Sequence, residues 1–174
     1  MQVNLEQGGT SDFTTNAAAT YKHFQVLSNE LSTPKVVIRA SDERVPKANF
    51  ADNPAPNADF TNNLGASYWV CAGAAPKQAS SFLAGDRNIG AYINGNPDPA
   101  RPFGYSGSGL DASGAIKYLS IDDKNPGTNP GWTEKIHEKA GNVGLCDGSV
   151  QQFTTSRLRE AVKNSQSPGS LLFP

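Results

Sequence analysis

Apolar residues recur every three or four positions near the start of the chain, where they form a single stripe. The stripe consists of Ala17, Tyr21, Phe24, Leu27 and Leu31. This spacing matches the turn of an α-helix, so it predicts one amphipathic helix that ends before Pro34. The β-branched run that follows at residues 35–40 (KVVIRA) predicts a strand, which gives the order helix and then strand.

Short apolar runs separated by turn residues predict further strands along the middle of the chain. They are residues 67–72 (SYWVCA), 80–90 (SSFLAGDRNIG, with the strand ending at Gly85-Asp86), 116–122 (IKYLSID) and 132–137 (WTEKIH). Residues 41–66 are dense in Pro, Asn and Asp, and residues 94–114 have no periodic pattern. Both segments are therefore expected to be long surface loops.

The final third of the chain predicts a β-hairpin. Its strands are residues 142–146 (NVGLC), which follow a turn at 139–141 (KAG), and residues 149–153 (SVQQF). Asp147-Gly148 between them is typical of a two-residue type I′ turn, in which both residues have positive φ. In that register Cys146 faces Ser149, and Leu145 faces Val150.

A short helix is predicted after the hairpin, over residues 157–164 (RLREAVKN), with Ser156 as its N-cap. Its buried side comprises Leu158, Ala161 and Val162. The chain has 174 residues and no internal repeat, so a single domain over residues 1–174 is expected. The predicted elements indicate the α+β class.

Composition argues against several classes of protein. The 15 basic and 16 acidic residues are scattered and give a net charge of -1, so no basic surface for nucleic acid is expected. The sequence has no apolar run of eighteen residues and no signal peptide at its start, so the chain as given is expected to be soluble. Two cysteines are too few for a four-ligand zinc site. Cys71 and Cys146 leave two alternatives, a disulfide and two buried thiols.

Nine residues separate His137 from Asp147-Gly148. If residues 139–141 turn the chain, His137 and Asp147 lie roughly 13 to 17 Å apart along the ladder, at about 3.3 Å per residue. That separation is too long for a hydrogen-bonded dyad. The residues themselves therefore favour a structural interpretation, in which His137 is a strand residue and Asp147-Gly148 is a turn.

The same spacing resembles the H-x9-DG motif of prepilin-type proteins, here His137, Asp147 and Gly148. FQVLSNELSTPKVVI resembles the helix-to-strand junction of that family, LAGDRNI its middle strand and turn, and GNVGLCDGSVQQF its terminal hairpin. The family is similar to the pseudopilins of type II secretion systems and to type IV pilins. This chain departs from it at Arg39-Ala40, where family members often carry Cys-Pro. Cys71 and Cys146 stand where small residues are expected, which favours their being spatial neighbours.

The resemblance implies a pilin-like fold, with the amphipathic helix packed on a small antiparallel sheet with long loops. It implies a non-enzymatic structural subunit of a secretion pseudopilus or pilus-like filament. Its partners would be other pilin-like subunits and the secretion or pilus assembly machinery. An N-terminal apolar helix preceding this chain would anchor the subunit in the inner membrane of the cell envelope before assembly. The assembled filament would then be periplasmic or extracellular.

One segment offers clustered oxygen ligands of the kind that calcium prefers, at Asp122, Asp123, Asn125 and Asn129. Some pseudopilins hold calcium in a C-terminal loop, so the resemblance also suggests calcium as a cofactor. The spacing does not match an EF-hand, however, and these residue types are ordinary turn formers.

The alternative function is an extracellular module of the cell envelope that binds carbohydrate or peptide. Tyr105 and Trp132 are the aromatic residues expected to face a ligand. Tyr68 and Trp69 alternate in a predicted strand, so one of them is expected in the core. An enzyme is not expected, since GYSGSG does not complete a nucleophile motif. Asp86-Arg87 is interpreted as a solvated or structural pair.

Overall fold

The computed structural model of the chain describes residues 4–51, 57–75, 77–165 and 170–174. Within them the α-helices are α1 (Lys22–Gln25), α2 (Ser28–Leu31) and α3 (Thr155–Asn164). The strands are β1 (Tyr68–Cys71), β2 (Phe82–Asp86), β3 (Ile89–Gly90), β4 (Tyr92–Ile93), β5 (Asn96–Pro97), β6 (Ala115–Lys117), β7 (Gly131–Trp132), β8 (Ala140–Leu145), β9 (Val150–Thr154) and β10 (Leu171–Phe173). None of the described helices has the length and apolar character needed to cross a membrane.

Six of these strands form one antiparallel sheet in the order β6-β10-β1-β2-β8-β9. The remaining four strands form two small ribbons, β3 with β7 and β4 with β5. The predicted α+β class and antiparallel sheet are confirmed. The strands predicted at residues 67–72 and 80–90 are confirmed as β1 and β2. The last strand of the chain, β10, was not predicted, although it lies inside the sheet.

The prediction of one continuous N-terminal helix is wrong. The segment is a 3₁₀ helix (Ala17–Ala19) followed by two single-turn helices, α1 and α2. The chain leaves helical geometry between them at Leu27, and α2 ends where Ser32 adopts a φ of 60°. The stripe therefore does not lie on one face: Tyr21 and Phe24 are buried, whereas Leu27 is 44% exposed. Ser, Thr and Asn favour caps and turns over helix interiors, and they interrupt this segment repeatedly.

The strand predicted at residues 35–40 is also wrong, because a 3₁₀ helix (Pro34–Val37) occupies its first half and no strand follows there. Thr33 caps this helix by accepting a hydrogen bond from the Lys35 amide, and Pro34 stands at its first position. This Thr-Pro start is a strong helix-initiation signal, and here it outweighs the β-branched residues that follow. Val37 is buried while Val36 is 52% exposed.

The two long loops and the later strands differ in detail from the prediction. Residues 41–66 form a 3₁₀ helix (Asn63–Gly65) but no strand in their described part, and residues 52–56 lie outside it. Residues 94–114 include only the two-residue β5. The strand predicted at residues 116–122 is β6 and ends at Lys117. The strand predicted at residues 132–137 is reduced to β7, because the chain then turns through positive φ at Ile136, Glu138 and Lys139.

The terminal hairpin is confirmed as β8 and β9, but its turn and register are shifted by one residue. Gly144 pairs with Val150, and the Leu145 amide donates to the Ser149 carbonyl. Only Gly148 has positive φ, so the turn is not type I′. The Gly148 amide donates a hydrogen bond to the Leu145 carbonyl. This bond closes a longer turn with glycine in the left-handed region.

The helix after the hairpin is confirmed as α3, with a different cap. Thr154, not Ser156, accepts the capping hydrogen bond from the Arg157 amide. Leu158 and Val162 are buried as predicted, and Ala161 packs half-buried beside them. The helix therefore begins at Thr155, two residues earlier than expected.

The sheet packs on both faces. The α3 face, on which Trp69, Val143 and Phe153 lie, is covered by α3 and by Trp132. The α1 face, on which Val70 and Leu172 lie, is covered by the N-terminal segment and the loop that follows it. Trp69 is fully buried, which confirms that one of the two neighbouring aromatics in β1 belongs to the core.

Candidate functional site

Asp42 and Arg87 form a fully buried ion pair beside the end of β2. The Arg87 Nε and Nη2 atoms donate to the two Asp42 carboxylate oxygens, each at 2.7 Å. Arg87 also donates to the Ser106 hydroxyl and the Gly107 carbonyl, and its guanidinium stacks 4.2 Å from the Phe103 ring centroid. Burial alone would raise the pKa of Asp42, but the hydrogen bonds and charge of Arg87 outweigh burial and lower that pKa.

Asp86, the last residue of β2, lies in a second buried polar cluster. Its Oδ2 accepts a 2.7 Å hydrogen bond from the Asn142 amide and lies 3.3 Å from His137 Nε2, while its Oδ1 lies 3.3 Å from Arg39 Nη1. Burial raises the pKa of Asp86, and these partners offset burial only in part. The motif histidine therefore faces Asp86, a residue 51 positions earlier in the chain, and not Asp147.

Asn88 holds the turn that carries His137. Its side-chain amide donates to the Lys135 carbonyl at 2.7 Å and to the Ala140 carbonyl at 3.2 Å. Its main-chain carbonyl accepts a hydrogen bond from the Thr133 amide at 2.8 Å. These three hydrogen bonds, all made by Asn88, fix a turn that contains several strained positive-φ residues. The segment GDRN after β2 thus places both Asp86 and its histidine partner.

We call the residues of these three clusters the motif network: Arg39, Asp42, Asp86, Arg87, Asn88 and His137. The motif network joins the segment after the N-terminal helices, the end of β2 and the turn before β8. Its chemistry is ion pairing and hydrogen bonding between the buried side chains of Asp42, Asp86, Arg87 and Asn88 and the partly buried Arg39 and His137. Within the described residues, the His137 imidazole has no hydrogen bond to a hydroxyl or a thiol.

Arg44 is a further buried cation that sequence reasoning missed. It is 3% exposed and donates to the carbonyl oxygens of Asn63, Ala66 and Pro174 at 2.8, 2.6 and 3.1 Å. Burial lowers the pKa of its guanidinium, and the neighbouring charge of Arg87 lowers it further. No local sequence pattern predicts that Arg44 is buried and bound to carbonyl groups, because its partners lie up to 130 residues away in the chain.

The other two motif residues, Asp147 and Gly148, form the exposed turn between β8 and β9. The Asp147 carboxylate accepts a 2.8 Å hydrogen bond from the Ser149 amide, and hydrogen bonds with Ser149 lower the pKa of Asp147. Arg39, which departs from the usual Cys-Pro of the resembling family, is an ion-pair partner of Asp86 in this chain. The structure therefore separates the motif into a buried histidine contact and an exposed turn.

The four residues suggested for calcium are engaged in turn formation. Asp122 accepts from the Lys124 amide and the Asn125 side chain, each at 2.8 Å, and Asn129 exchanges hydrogen bonds with the Asp122 backbone. Asp123 forms a surface ion pair with Lys163. Among the described residues, no group of three or more His, Cys, Asp or Glu side chains is arranged to hold a metal. These contacts favour the turn-forming interpretation of the segment.

Cys71 and Cys146 are both thiols in the structure. Cys71 lies in β1, Cys146 follows β8, and β2 lies between these two strands. Neighbouring strands are about 4.8 Å apart, so the two Cα positions are separated by about 10 Å. A disulfide requires a separation below about 7 Å. The fold brings the cysteines to the same part of the sheet but leaves them one strand too far apart to bond.

The two aromatic residues predicted to face a ligand differ in their exposure. Trp132 is fully buried in β7 against Gly141, so its assignment to a ligand-facing surface is wrong. Tyr105 is half-buried, packs edge-to-face on Phe173 with ring centroids 5.5 Å apart, and lines an open cleft. Of the two, only Tyr105 keeps contact with the surface.

Comparison of the chain with protein-family models, with curated proteins and with solved structures found no match.

Proposed function

We propose that this chain is the globular domain of a non-enzymatic filament subunit of the type II secretion pseudopilus or type IV pilus-like kind. The observation that carries the proposal is the motif network. The residues that resemble the prepilin-type family lie far apart in the chain, and yet the network contains Asp86, Arg87 and Asn88 of the middle segment, His137 of the motif, and Arg39, which directly follows the first segment. The Asp42–Arg87 pair of the network is fully buried, and loss of one partner of such a pair is strongly destabilising, so this pair ties two of the network's segments together.

The sheet also offers a surface for assembly. On the α1 face, the part formed by β8 and β9 presents Asn142, Gly144 and Gln152, together with Val150, which is 71% exposed. The opposite face of the same strands is covered by α3. A subunit that packs against neighbours or against an apolar helix needs such an accessible sheet face.

The first experiment is the intact mass and N-terminal sequence of the native protein, taken from the membrane and sheared-filament fractions of its source cell. We expect an additional apolar segment ahead of this sequence and a processed, methylated N-terminus. A native chain that starts at Met1 or follows an ordinary secretory leader would contradict the proposal. The binding module of the cell envelope would then be the leading function.

His137→Gln separates a structural role of the motif from a role in assembly. The substitution removes the imidazole next to buried Asp86, so we expect a lower free energy of unfolding and a proportional loss of assembled filament. Lys139→Gln is the matched control, because Lys139 pairs only with exposed Glu134. A fully stable His137→Gln protein that no longer assembles would exclude the purely structural role.

A second candidate function is favoured by one observation. Tyr105 lines a cleft with a volume of about 460 Å³, within the usual range for small-ligand sites. The cleft supports a ligand-binding module of the cell envelope as the second function. Trp132 does not contribute to its binding surface, because that residue is fully buried.

A further inference from the structure

The cleft beside Tyr105 is built from two walls. One wall is the turn at residues 101–105, which packs closely on β3 because Gly104 has a φ of +69° and no side chain against the Ile89 carbonyl. The Tyr105 amide donates to that same carbonyl at 2.8 Å. The other wall is the edge strand β6, which carries Lys117. Buried Ser106 forms part of the floor and donates to the Pro174 carbonyl.

Two cations line the cleft, and neither forms an ion pair with a carboxylate of the described residues. Among the described residues no carboxylate lies within ion-pair distance of Arg101 or Lys117. The only acid in the lining, Asp111, is exposed and bonded to the Ser113 amide at 2.9 Å. The cleft therefore has an excess of positive charge in a chain whose net charge is -1.

Tyr105 lines the same cleft as Arg101 and Lys117. Lys117 Nζ is 5.1 Å from the centre of the tyrosine ring. Burial raises the pKa of the Tyr105 phenol, and the nearby charge of Arg101 opposes that rise. A half-buried aromatic ring in a cleft with two cations offers an apolar surface together with carboxylate-binding groups.

We propose that this cleft binds a uronate unit of an acidic polysaccharide. Arg101 and Lys117 bind its carboxylate, and the ring of Tyr105 packs against the sugar ring. The rest of the lining is mainly glycine, serine and other small residues, which leave backbone groups within reach of sugar hydroxyls. This inference goes beyond the filament proposal and does not depend on it, since the cleft is complete within one chain.

The test is calorimetric titration of the purified protein with trigalacturonate at low salt. We expect saturable binding that weakens as salt is added, because charge attracts the ligand. The neutral methyl ester of the same trisaccharide should bind at least about tenfold more weakly, since it cannot form charge-assisted hydrogen bonds. Arg101→Gln and Lys117→Gln should each weaken trigalacturonate binding by about tenfold.

Lys35→Gln is the matched control, because Lys35 is exposed and does not line the cleft. An unchanged melting temperature shows that each variant is folded. Three outcomes overturn the proposal: no saturable binding by the native protein, an equal loss in Lys35→Gln, or equally tight binding of hexaglutamate. The last outcome would mean that the cleft recognises acidic charge without a sugar. None of these results bears on the mass of the native protein, so this proposal and the filament proposal fail separately.

Discussion

The two buried carboxylates beside β2 show how contact geometry sets the direction in which a pKa shifts. Asp42 receives two 2.7 Å hydrogen bonds from one guanidinium, and its pKa is lowered. Asp86 accepts a hydrogen bond from the Asn142 amide, but the Arg39 and His137 side chains each approach it to only 3.3 Å, and its pKa is raised. Both side chains are fully buried. A short bidentate pair with arginine thus compensates burial where two longer contacts do not.

Asp42→Asn should be strongly destabilising. The substitution leaves the fully buried Arg87 cation without its carboxylate, and loss of one partner of a buried pair costs about 3 to 5 kcal/mol. The measurement is urea unfolding followed by circular dichroism. Asp123→Asn is the control: it breaks the exposed ion pair with Lys163 and should cost less than about 1 kcal/mol. Equal effects of the two substitutions would contradict the assigned role of the buried pair.

His23 should make the stability of the protein depend on pH. The side chain is 5% exposed, and burial lowers its pKa from 6.5 to about 4. Between these values the unfolded chain binds a proton that the folded chain does not, so stability is present above pH 6.5 and is lost as pH falls towards 4. From pH 7 to pH 4.5 the loss from this residue should be about 2 to 3 kcal/mol.

His23→Phe tests this contribution, because phenylalanine fills the site and carries no proton. The free energy of unfolding of both proteins is measured at pH 7 and pH 4.5, and the two pH-dependent changes are subtracted. Asp42, Asp86 and the other titrating groups are common to both proteins, so they cancel in the difference. An identical pH dependence in the two proteins would exclude His23 as its source.

At the scale of elements, the turn between β8 and β9 depends on one glycine. Gly148 has a φ of +85°, and a Cβ at that position would meet no atom within 4 Å. Gly148→Ala should therefore cost about 1 to 2 kcal/mol through backbone strain alone. Gly144→Ala is the matched control within the same hairpin. Gly144 has no positive φ, and a Cβ there would meet only the Ala84 carbonyl oxygen, at 3.6 Å.

Urea unfolding of the two alanine variants measures the difference. We expect Gly144→Ala to be neutral or stabilising, since alanine restricts the unfolded chain more than glycine does. If Gly148→Ala unfolds at the same urea concentration as Gly144→Ala, the turn does not require left-handed geometry at that residue.

The elements that the sequence predicted are those with local signals. β1, β2, the hairpin and α3 each combine an apolar run with a turn or a cap within a few residues. The prediction of one N-terminal helix was wrong because its apolar stripe does not lie on one face: Tyr21 and Phe24 are buried, whereas Leu27 is exposed. β10 was missed because its three residues have no period, and their pairing with β6 and β1 is entirely long-range.

The candidate site was predictable to a smaller degree. The family resemblance located His137, Asp147 and Gly148, but local spacing gave no partner for the histidine. The actual partner, Asp86, is 51 residues away and was interpreted only as a solvated or structural charge. The contacts of Arg39 and Arg44 could not be predicted, because the sequence does not distinguish a buried arginine from an exposed one. Partners that meet through the fold can be assigned only from the fold.

At the scale of the whole molecule, the last strand of the described chain lies inside the sheet. β10 lies between β6 and β1, and its Leu171 and Phe173 side chains belong to the core on the α3 face. The carbonyl of Pro174 accepts hydrogen bonds from buried Arg44 and Ser106. The last four residues are therefore an internal part of the structure.

Deletion of residues 171–174 should abolish the native fold. The deletion separates β6 from β1, removes three buried side chains and leaves Arg44 without one of its carbonyl partners. Loss of a buried leucine or phenylalanine side chain costs about 2 to 5 kcal/mol, so three such losses exceed the stability of a typical domain. We expect the near-ultraviolet circular dichroism of the buried Trp69 and Trp132 to disappear.

Deletion of residues 1–8 is the control, because it removes twice as many residues from the opposite end. Glu6, Gln7 and Gly8 are exposed, and within the described part of the chain the hydrogen bonds of residues 4–9 are made among themselves. This variant should keep the native tryptophan signal and a similar melting temperature. A folded protein after deletion of residues 171–174 would mean that β1 and β6 close the sheet without β10. The stability of the fold would then depend on the motif network and not on the position of the last strand.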